Sequence, residues 1–176
     1  YSKFDLFYAG AQKNMGPAGT TLVIIKEDIL GKVSRKIPSI LDYSSHVKSG
    51  SMFNTPPVFA VYTSLLTMRW IEEQGGVESI GQKNIIKSEY LYNEIDRNPL
   101  FTGFAAKKDR SEMNATFNLV NKSNSESFDT ICESAGISGL KGHRSVGGYR
   151  ASIYNALPKE SVDILVDCMQ NLEQKI

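Results

Sequence analysis

Residues 7–19, FYAGAQKNMGPAG, place a single lysine in a run of small residues. Gln12 and Asn14 flank Lys13, and Gly-Pro-Ala-Gly follows at residues 16–19. A glycine-rich turn lets the backbone approach a ligand closely. We therefore predict that Lys13 acts on a ligand, the alternative being an ordinary lysine of a surface loop.

Two apolar stretches surround this turn. FDLFYA (4–9) and TTLVIIKED (20–28) predict β-strands, because they are short, apolar and bounded by turn residues. The turn would then place Lys13 at the edge of a sheet. The first strand begins almost at the first residue, which is not methionine, so we expect the chain to be a piece of a longer polypeptide.

The composition is that of an ordinary globular protein: 176 residues, 41% hydrophobic and 22% charged. A net charge of +1 indicates neither a nucleic-acid partner nor a membrane surface. No apolar run reaches the ~20 residues of a membrane span. Two cysteines without CxxC spacing and two histidines predict no metal site and no disulfide framework, which favours a reducing, cytoplasmic setting.

The rest of the chain predicts two helices followed by alternating elements. An irregular loop is expected over 31–55, and we place a domain boundary at Gly75-Gly76. The later strands and helices predict a compact α/β sandwich. Helices are predicted at 54–76, 77–97, 125–136 and 158–176, and strands at 115–120 and 149–154. The first helix has an apolar face formed by Val58, Val61, Tyr62, Leu65, Leu66, Met68 and Ile71.

Asn54 and Thr55 lie where the first helix is predicted to begin. An amide, a hydroxyl and the free N–H groups of a helix N-terminus together form a natural phosphate site. The alternative is that one of the two residues is a plain N-cap.

The stretch GLKGHRSVGGYRASIYNAL (139–157) combines two arginines and a histidine with several glycines. Arginine binds carboxylates and phosphates through two parallel hydrogen bonds. His143, Arg144 and Arg150 are therefore predicted to clamp a doubly anionic substrate, the alternative being a solvated loop. A Schiff-base lysine, a phosphate site and an anion clamp together indicate a pyridoxal phosphate enzyme that acts on an anionic amino acid.

Three stretches resemble the phosphoserine aminotransferase family of fold-type I pyridoxal phosphate enzymes. They are AGAQKNMGPAG (9–19), MFNTPP (52–57) and GHRSVGGYRASIYNA (142–156). The resemblance runs in order through the whole chain and corresponds to the C-terminal half of the family's enzymes. It implies an α/β fold in which residues 1–75 end the large parallel-sheet domain and residues 76–176 form the small C-terminal sandwich domain.

The resemblance implies how pyridoxal 5'-phosphate would be held. Lys13 would form the Schiff base and then move a proton between the substrate α-carbon and the cofactor. Gln12 would contact the cofactor. Asn54 and Thr55 would bind the cofactor phosphate of the partner subunit in a homodimer.

The resemblance also implies the substrates. His143 and Arg144 would bind the substrate phosphate, and Arg150 would pair with the α-carboxylate. The implied reaction transfers an amino group between glutamate and 3-phosphohydroxypyruvate, giving phosphoserine and 2-oxoglutarate, in serine biosynthesis. A phosphorylated hydroxythreonine skeleton, from pyridoxine biosynthesis, has the same anionic groups and stays an open alternative.

The family's N-terminal half has no counterpart in this chain. By the resemblance, that half supplies an Asp at the pyridine nitrogen, an aromatic ring stacked on the cofactor and most of the parallel sheet, so we expect the chain alone to be inactive. Two other hypotheses are an assembly partner for a separate N-terminal chain and a non-enzymatic phosphate- or nucleotide-binding module. The second is disfavoured because the sequence has neither GxxxxGK[ST] nor a GxGxxG after a strand.

Overall fold

A computed structural model describes residues 3–142 and 147–176 and divides the chain into two compact units. The N-terminal unit is Tyr1–Glu73 and the C-terminal unit is Gln74–Ile176. Each unit has its own sheet and helices.

The sheet of the N-terminal unit is a hairpin. Strands β1, Leu6–Gly10, and β2, Thr21–Ile25, pair antiparallel with Leu6 opposite Ile25 and Gly10 opposite Thr21. Both strands were predicted, and the turn between them carries Lys13. The hairpin is the one sheet within residues 3–73, so these residues contain no parallel pair of strands of the kind expected in a large parallel-sheet domain.

A short helix interrupts the stretch that we predicted to be irregular. Helix α1 spans Tyr43–Lys48, and the Asp42 carboxylate accepts a hydrogen bond from the Ser44 N–H at 2.9 Å. The prediction is wrong here because six residues are too few to show a helical period, although an aspartate N-cap is a common start signal.

The predicted helix after residue 54 is α2, Val58–Glu73. It begins later than expected: the Pro57 carbonyl accepts the Val61 N–H at 3.1 Å, and Asn54 and Thr55 precede the helix instead of capping it. The two prolines explain the shift, because a residue followed by proline avoids helical backbone angles.

The apolar face of α2 is largely exposed. Ala60 is the buried residue of the helix, and Ile71 is half-buried. A helix that is apolar on most of its surface is typical of the interior of a larger domain. The exposed residues include Val58, Phe59, Val61, Tyr62, Leu65, Leu66 and Met68.

The C-terminal unit is a two-layer α/β sandwich. Its antiparallel sheet has three strands, Phe101–Gly103 (β3), Asn114–Leu119 (β4) and Tyr149–Ser152 (β5), in the order β3-β4-β5. The ends of its helices were all predicted to within two residues. Strand β3 is too short for sequence periodicity to reveal it. The helices are α3, Gly76–Arg97; α4, Ser125–Ser134; and α5, Lys159–Lys175.

One face of the sheet packs on the helices. Ala115, Phe117 and Leu119 alternate along β4 and are buried. The Phe117 ring stacks on Tyr149 with centroids 5.4 Å apart. Phe128 of α4 is fully buried and meets Tyr149 edge-on at 5.1 Å, so an aromatic cluster joins the strands to the helix layer.

Cys132 and Cys168 are free thiols in this core. Burial raises the pKa of Cys132 to about 12, so the thiol stays protonated at neutral pH and packs as an apolar group. Within the described residues, no helix is long and apolar enough to cross a membrane.

The aromatic cluster predicts a large cost for Phe128→Ala. We expect the free energy of unfolding of the C-terminal unit to fall by about 3–5 kcal/mol, because the substitution removes a fully buried ring. Phe104→Ala is the matched control, since Phe104 is 60% exposed, and it should change the value by less than about 0.5 kcal/mol. Urea denaturation measures both, and similar losses would contradict the packing.

Candidate active site

The turn that carries Lys13 is closed by backbone hydrogen bonds. The Ala11 N–H donates to the Thr20 carbonyl at 2.9 Å, and the Lys13 N–H donates to the Gly16 carbonyl at 3.0 Å. Ala11 itself is 1% exposed. The turn is therefore an ordered continuation of the hairpin, and Lys13 lies within it.

Lys13 has an unusual backbone conformation. Its φ is +94°, and within residues 3–142 and 147–176 Ser51 is the other non-glycine residue with positive φ. Such a conformation costs about 1–3 kcal/mol and persists where surrounding structure enforces it, often at functional sites. The side chain of Lys13 is exposed, and so is that of Gln12.

The turn packs on the first two turns of α2. A Cβ added to Gly16 would lie 2.6 Å from Ser64 Oγ and 3.1 Å from Ser64 Cα, and Gly16 has a φ of +147°. Any larger residue would push the turn off the helix. The hydroxyls of Thr20 and Ser64 are buried here without a hydrogen-bond partner in the described structure, which leaves polar groups available beside the turn.

Asn54 and Thr55 lie just before the same helix. Both are exposed, and the Asn54 amide donates to the Thr55 carbonyl at 3.2 Å. Their side chains therefore do not cap α2. The segment that contains them and the turn that contains Lys13 both adjoin the N-terminal part of α2.

Arg150 lies on strand β5 opposite Thr116. Its neighbours Tyr149 and Ala151 face the core, so the pleat directs Arg150 to the other side, where it is exposed. Its N–H donates to the Leu140 carbonyl at 2.7 Å. Within the described residues its guanidinium has no hydrogen bond or ion pair, so all its donors are available to an anion.

His143 and Arg144 lie outside the described residues. Described residues on either side of them are hydrogen-bonded: the Gly142 N–H donates to the Gly148 carbonyl at 2.8 Å. Lys141 Nζ lies 3.0 Å from Asp129 Oδ2, and the Tyr149 hydroxyl donates to Asp129 Oδ1 at 3.0 Å. Burial raises the pKa of Tyr149 to about 12, so this hydroxyl stays a donor at neutral pH.

The structure thus places the candidate residues in two groups, one in each unit. Lys13, Gln12, Asn54 and Thr55 belong to the N-terminal unit, and Arg150 belongs to the C-terminal unit. The buried hydroxyls of Thr20 and Ser64 beside the Lys13 turn were not predicted, because nothing in the spacing of these residues indicates a functional role.

It also missed Lys87, a buried lysine of α3. A signal for it exists in the sequence. Lys87 falls on the stripe formed with Ile80, Asn84, Leu91 and Ile95 at helical spacing, where a lysine is out of place.

Comparison with known proteins places the chain in a family. A sequence profile described as Aminotransferase class-V matches residues 2–165. The chain belongs to this family. A curated relative, the phosphoserine aminotransferase of Flavobacterium johnsoniae, is 64% identical over 176 residues, covering 100% of this chain and 49% of the relative.

Solved structures show the same fold. The phosphoserine aminotransferase of Bacillus circulans subsp. alkalophilus matches with a TM-score of 0.92 and 43% identity, over 99% of this chain and 48% of that structure. A pyridoxal phosphate-bound phosphoserine aminotransferase from Trichomonas vaginalis matches with a TM-score of 0.87 and 40% identity, over 96% and 48%. The predicted fold class is confirmed, and the chain spans about half the length of the relatives it matches.

The close packing around Gly148 predicts that replacing it destabilises the C-terminal unit. An alanine Cβ there would collide with the Asn118 side chain and lie 2.9 Å from the Phe117 carbonyl oxygen. Gly147→Ala is the matched control, because Gly147 shares the positive φ, +77° against +66°, but no atom of the described residues lies within 4 Å of an added Cβ. In urea denaturation, Gly148→Ala should lower the free energy of unfolding by about 1–3 kcal/mol more than Gly147→Ala does. Equal effects would contradict the close approach.

Proposed function

We propose that this chain is the C-terminal half of a pyridoxal phosphate-dependent phosphoserine aminotransferase. The enzyme would transfer an amino group between glutamate and 3-phosphohydroxypyruvate, giving O-phosphoserine and 2-oxoglutarate. The observation that carries the proposal is Lys13, held with positive φ in a closed turn that packs through Gly16 on α2. The family membership and the similarity to named phosphoserine aminotransferases support it.

The residues around the turn fit pyridoxal phosphate. Lys13 is an exposed residue on an ordered turn, a setting in which a lysine can meet a carbonyl compound. The buried hydroxyls of Thr20 and Ser64 lie beside the turn and have no hydrogen-bond partner among the described residues. When bound, the cofactor supplies an electron sink that stabilises negative charge at the substrate α-carbon.

The other candidate residues of the N-terminal unit would hold the cofactor in place. Gln12 is exposed next to Lys13 and would contact it. Asn54 and Thr55 stand free of any capping bond to α2 and would bind the phosphate of the cofactor, in the homodimer that of the partner subunit. Lys13 Nζ would then move a proton at the substrate α-carbon.

The anion-binding residues would orient the substrate. Arg150 presents an exposed guanidinium with no partner in the described structure, and it would bind the α-carboxylate in bidentate fashion. His143 and Arg144 would bind the substrate phosphate, and this assignment rests on the sequence motif.

Several finer assignments belong to the same proposal. We infer a homodimeric, cytoplasmic enzyme of serine biosynthesis. A phosphorylated hydroxythreonine of pyridoxine biosynthesis carries the same phosphate and carboxylate groups, so it would be a second substrate of the same residues.

A second candidate function is that of an assembly partner without activity of its own. The exposed apolar residues of α2 and the hairpin favour it, since Phe59 is 78% and Tyr8 74% exposed. Such surfaces indicate a missing partner segment. Activity in this case would require an N-terminal half, which the Flavobacterium johnsoniae relative can supply. We call this chain fused to that half the complete enzyme.

In the complete enzyme, Arg150→Ala and Arg144→Ala should separate the substrates. Loss of Arg150 removes a carboxylate partner, so kcat/KM for glutamate and for phosphoserine should both fall, by about ten- to a hundredfold. Loss of Arg144 removes a phosphate partner, so phosphoserine should suffer more than glutamate. Steady-state kinetics with each amino donor measure both effects.

Two controls define these experiments. Arg150→Lys keeps the charge but loses the planar fork, and it should fall between wild type and Arg150→Ala. The 176-residue chain alone should show no transamination. Equal losses on both donors from Arg144→Ala would contradict the phosphate role, and no activity in the complete enzyme would contradict the aminotransferase proposal.

A further inference from the structure

Helix α3 contains a lysine whose charged end is buried. Lys87 is 3% exposed. Its Nζ donates to three backbone carbonyls: Ile153 at 3.2 Å, Tyr154 at 2.8 Å and Leu157 at 3.0 Å. Lysine is almost never so deeply buried unless its ammonium is satisfied by specific partners.

The three acceptors match the three N–H bonds of an ammonium group. Burial lowers the pKa of Lys87, and no carboxylate in the described residues contributes to that change. The lysine is therefore held by carbonyl dipoles alone. One ammonium joins three carbonyls of a single segment to α3, so the lysine fixes the geometry of that segment, and its loss would leave all three acceptors without this donor.

A second residue of α3 holds the same segment. Asn84 lies one turn before Lys87 and is 5% exposed. Its amide donates to Asn155 Oδ1 at 2.8 Å. Four hydrogen bonds thus tie α3 to residues 153–157, a segment that has no regular secondary structure of its own.

This segment directly follows β5, the strand that carries Arg150. The strand has four residues and pairs with β4 on one side. On its other side Tyr149 forms an isolated bridge with Lys141, and the Arg150 N–H donates to the Leu140 carbonyl. So short a strand has few register-fixing pairs, and a shift by one residue moves each side chain to the opposite face. A hold on residues 153–157 therefore fixes where Arg150 lies and which way it faces.

We propose that Lys87 is a positioning residue for Arg150: it locks the segment after β5 so that the guanidinium meets the α-carboxylate of the amino acid substrate. The inference rests on the proposed aminotransferase function, which assigns that carboxylate to Arg150. Lys87 does not touch the substrate and acts through the backbone of β5.

The test is a double-mutant cycle in the complete enzyme with glutamate as the amino donor. Lys87→Met keeps the length of the side chain and removes its three donors. We expect KM for glutamate to rise about tenfold with kcat changed by less than about threefold. The reason is that the substitution would misplace Arg150, the residue that binds the substrate carboxylate. In an Arg150→Ala background, Lys87→Met should add less than about twofold, because the residue through which it acts is absent.

Lys83→Met is the matched control. Lys83 lies one turn earlier on α3 and is exposed, with its Nζ on Gln74 Oε1 at 2.9 Å, and its replacement should leave KM for glutamate unchanged. If Lys87→Met does not fold, Asn84→Ala removes a single bond to the same segment. It should raise KM for glutamate about threefold in the wild-type background and not in Arg150→Ala.

Two results would overturn the inference alone. One is an unchanged KM in both Lys87→Met and Asn84→Ala, and the other is a loss of the same size with and without Arg150. If Arg150→Ala itself leaves KM for glutamate unchanged, the carboxylate role assigned to Arg150 fails, and the inference fails with it.

Discussion

The contact between Gly16 and α2 is the constraint on which the candidate site depends. Because Gly16 has no side chain, the turn can lie against Ser64. Within the turn, the Lys13 N–H donates a hydrogen bond to the Gly16 carbonyl. With both ends of the turn fixed, Lys13 keeps a positive φ that a free loop would relax. A catalytic amine must be held to within about half an ångström, and this packing supplies the restraint.

The two units differ in how completely they bury their apolar residues. The C-terminal unit has a closed core in which Phe117, Phe128 and Met169 are at most 1% exposed. The N-terminal unit exposes most of the apolar surface of α2 and part of its hairpin. A two-stranded sheet is marginal in water without further packing, so the site that holds Lys13 depends on a covering segment, while the Arg150 strand lies in a unit with its own core.

The sequence predicts the elements that have a clear period and misses those decided by tertiary contacts. The stripe of α5 and the alternation of β4 locate both elements within one residue. Helix α1 and strand β3 are too short for such a signal. The apolar face of α2 is visible in the sequence, but the pattern does not show which segment covers it.

The candidate site shows the same division. Lys13 and Arg150 each lie in a glycine-containing stretch of unusual composition, so the sequence alone identifies them as candidate site residues. Lys87 acts through carbonyls 66 to 70 residues away in the sequence, and only the folded chain brings them together. The most direct test of the account is borohydride reduction of the complete enzyme with pyridoxal phosphate, followed by peptide mapping. The account predicts the pyridoxyl group on Lys13, and a label on Lys3, Lys26 or Lys141 instead would contradict it.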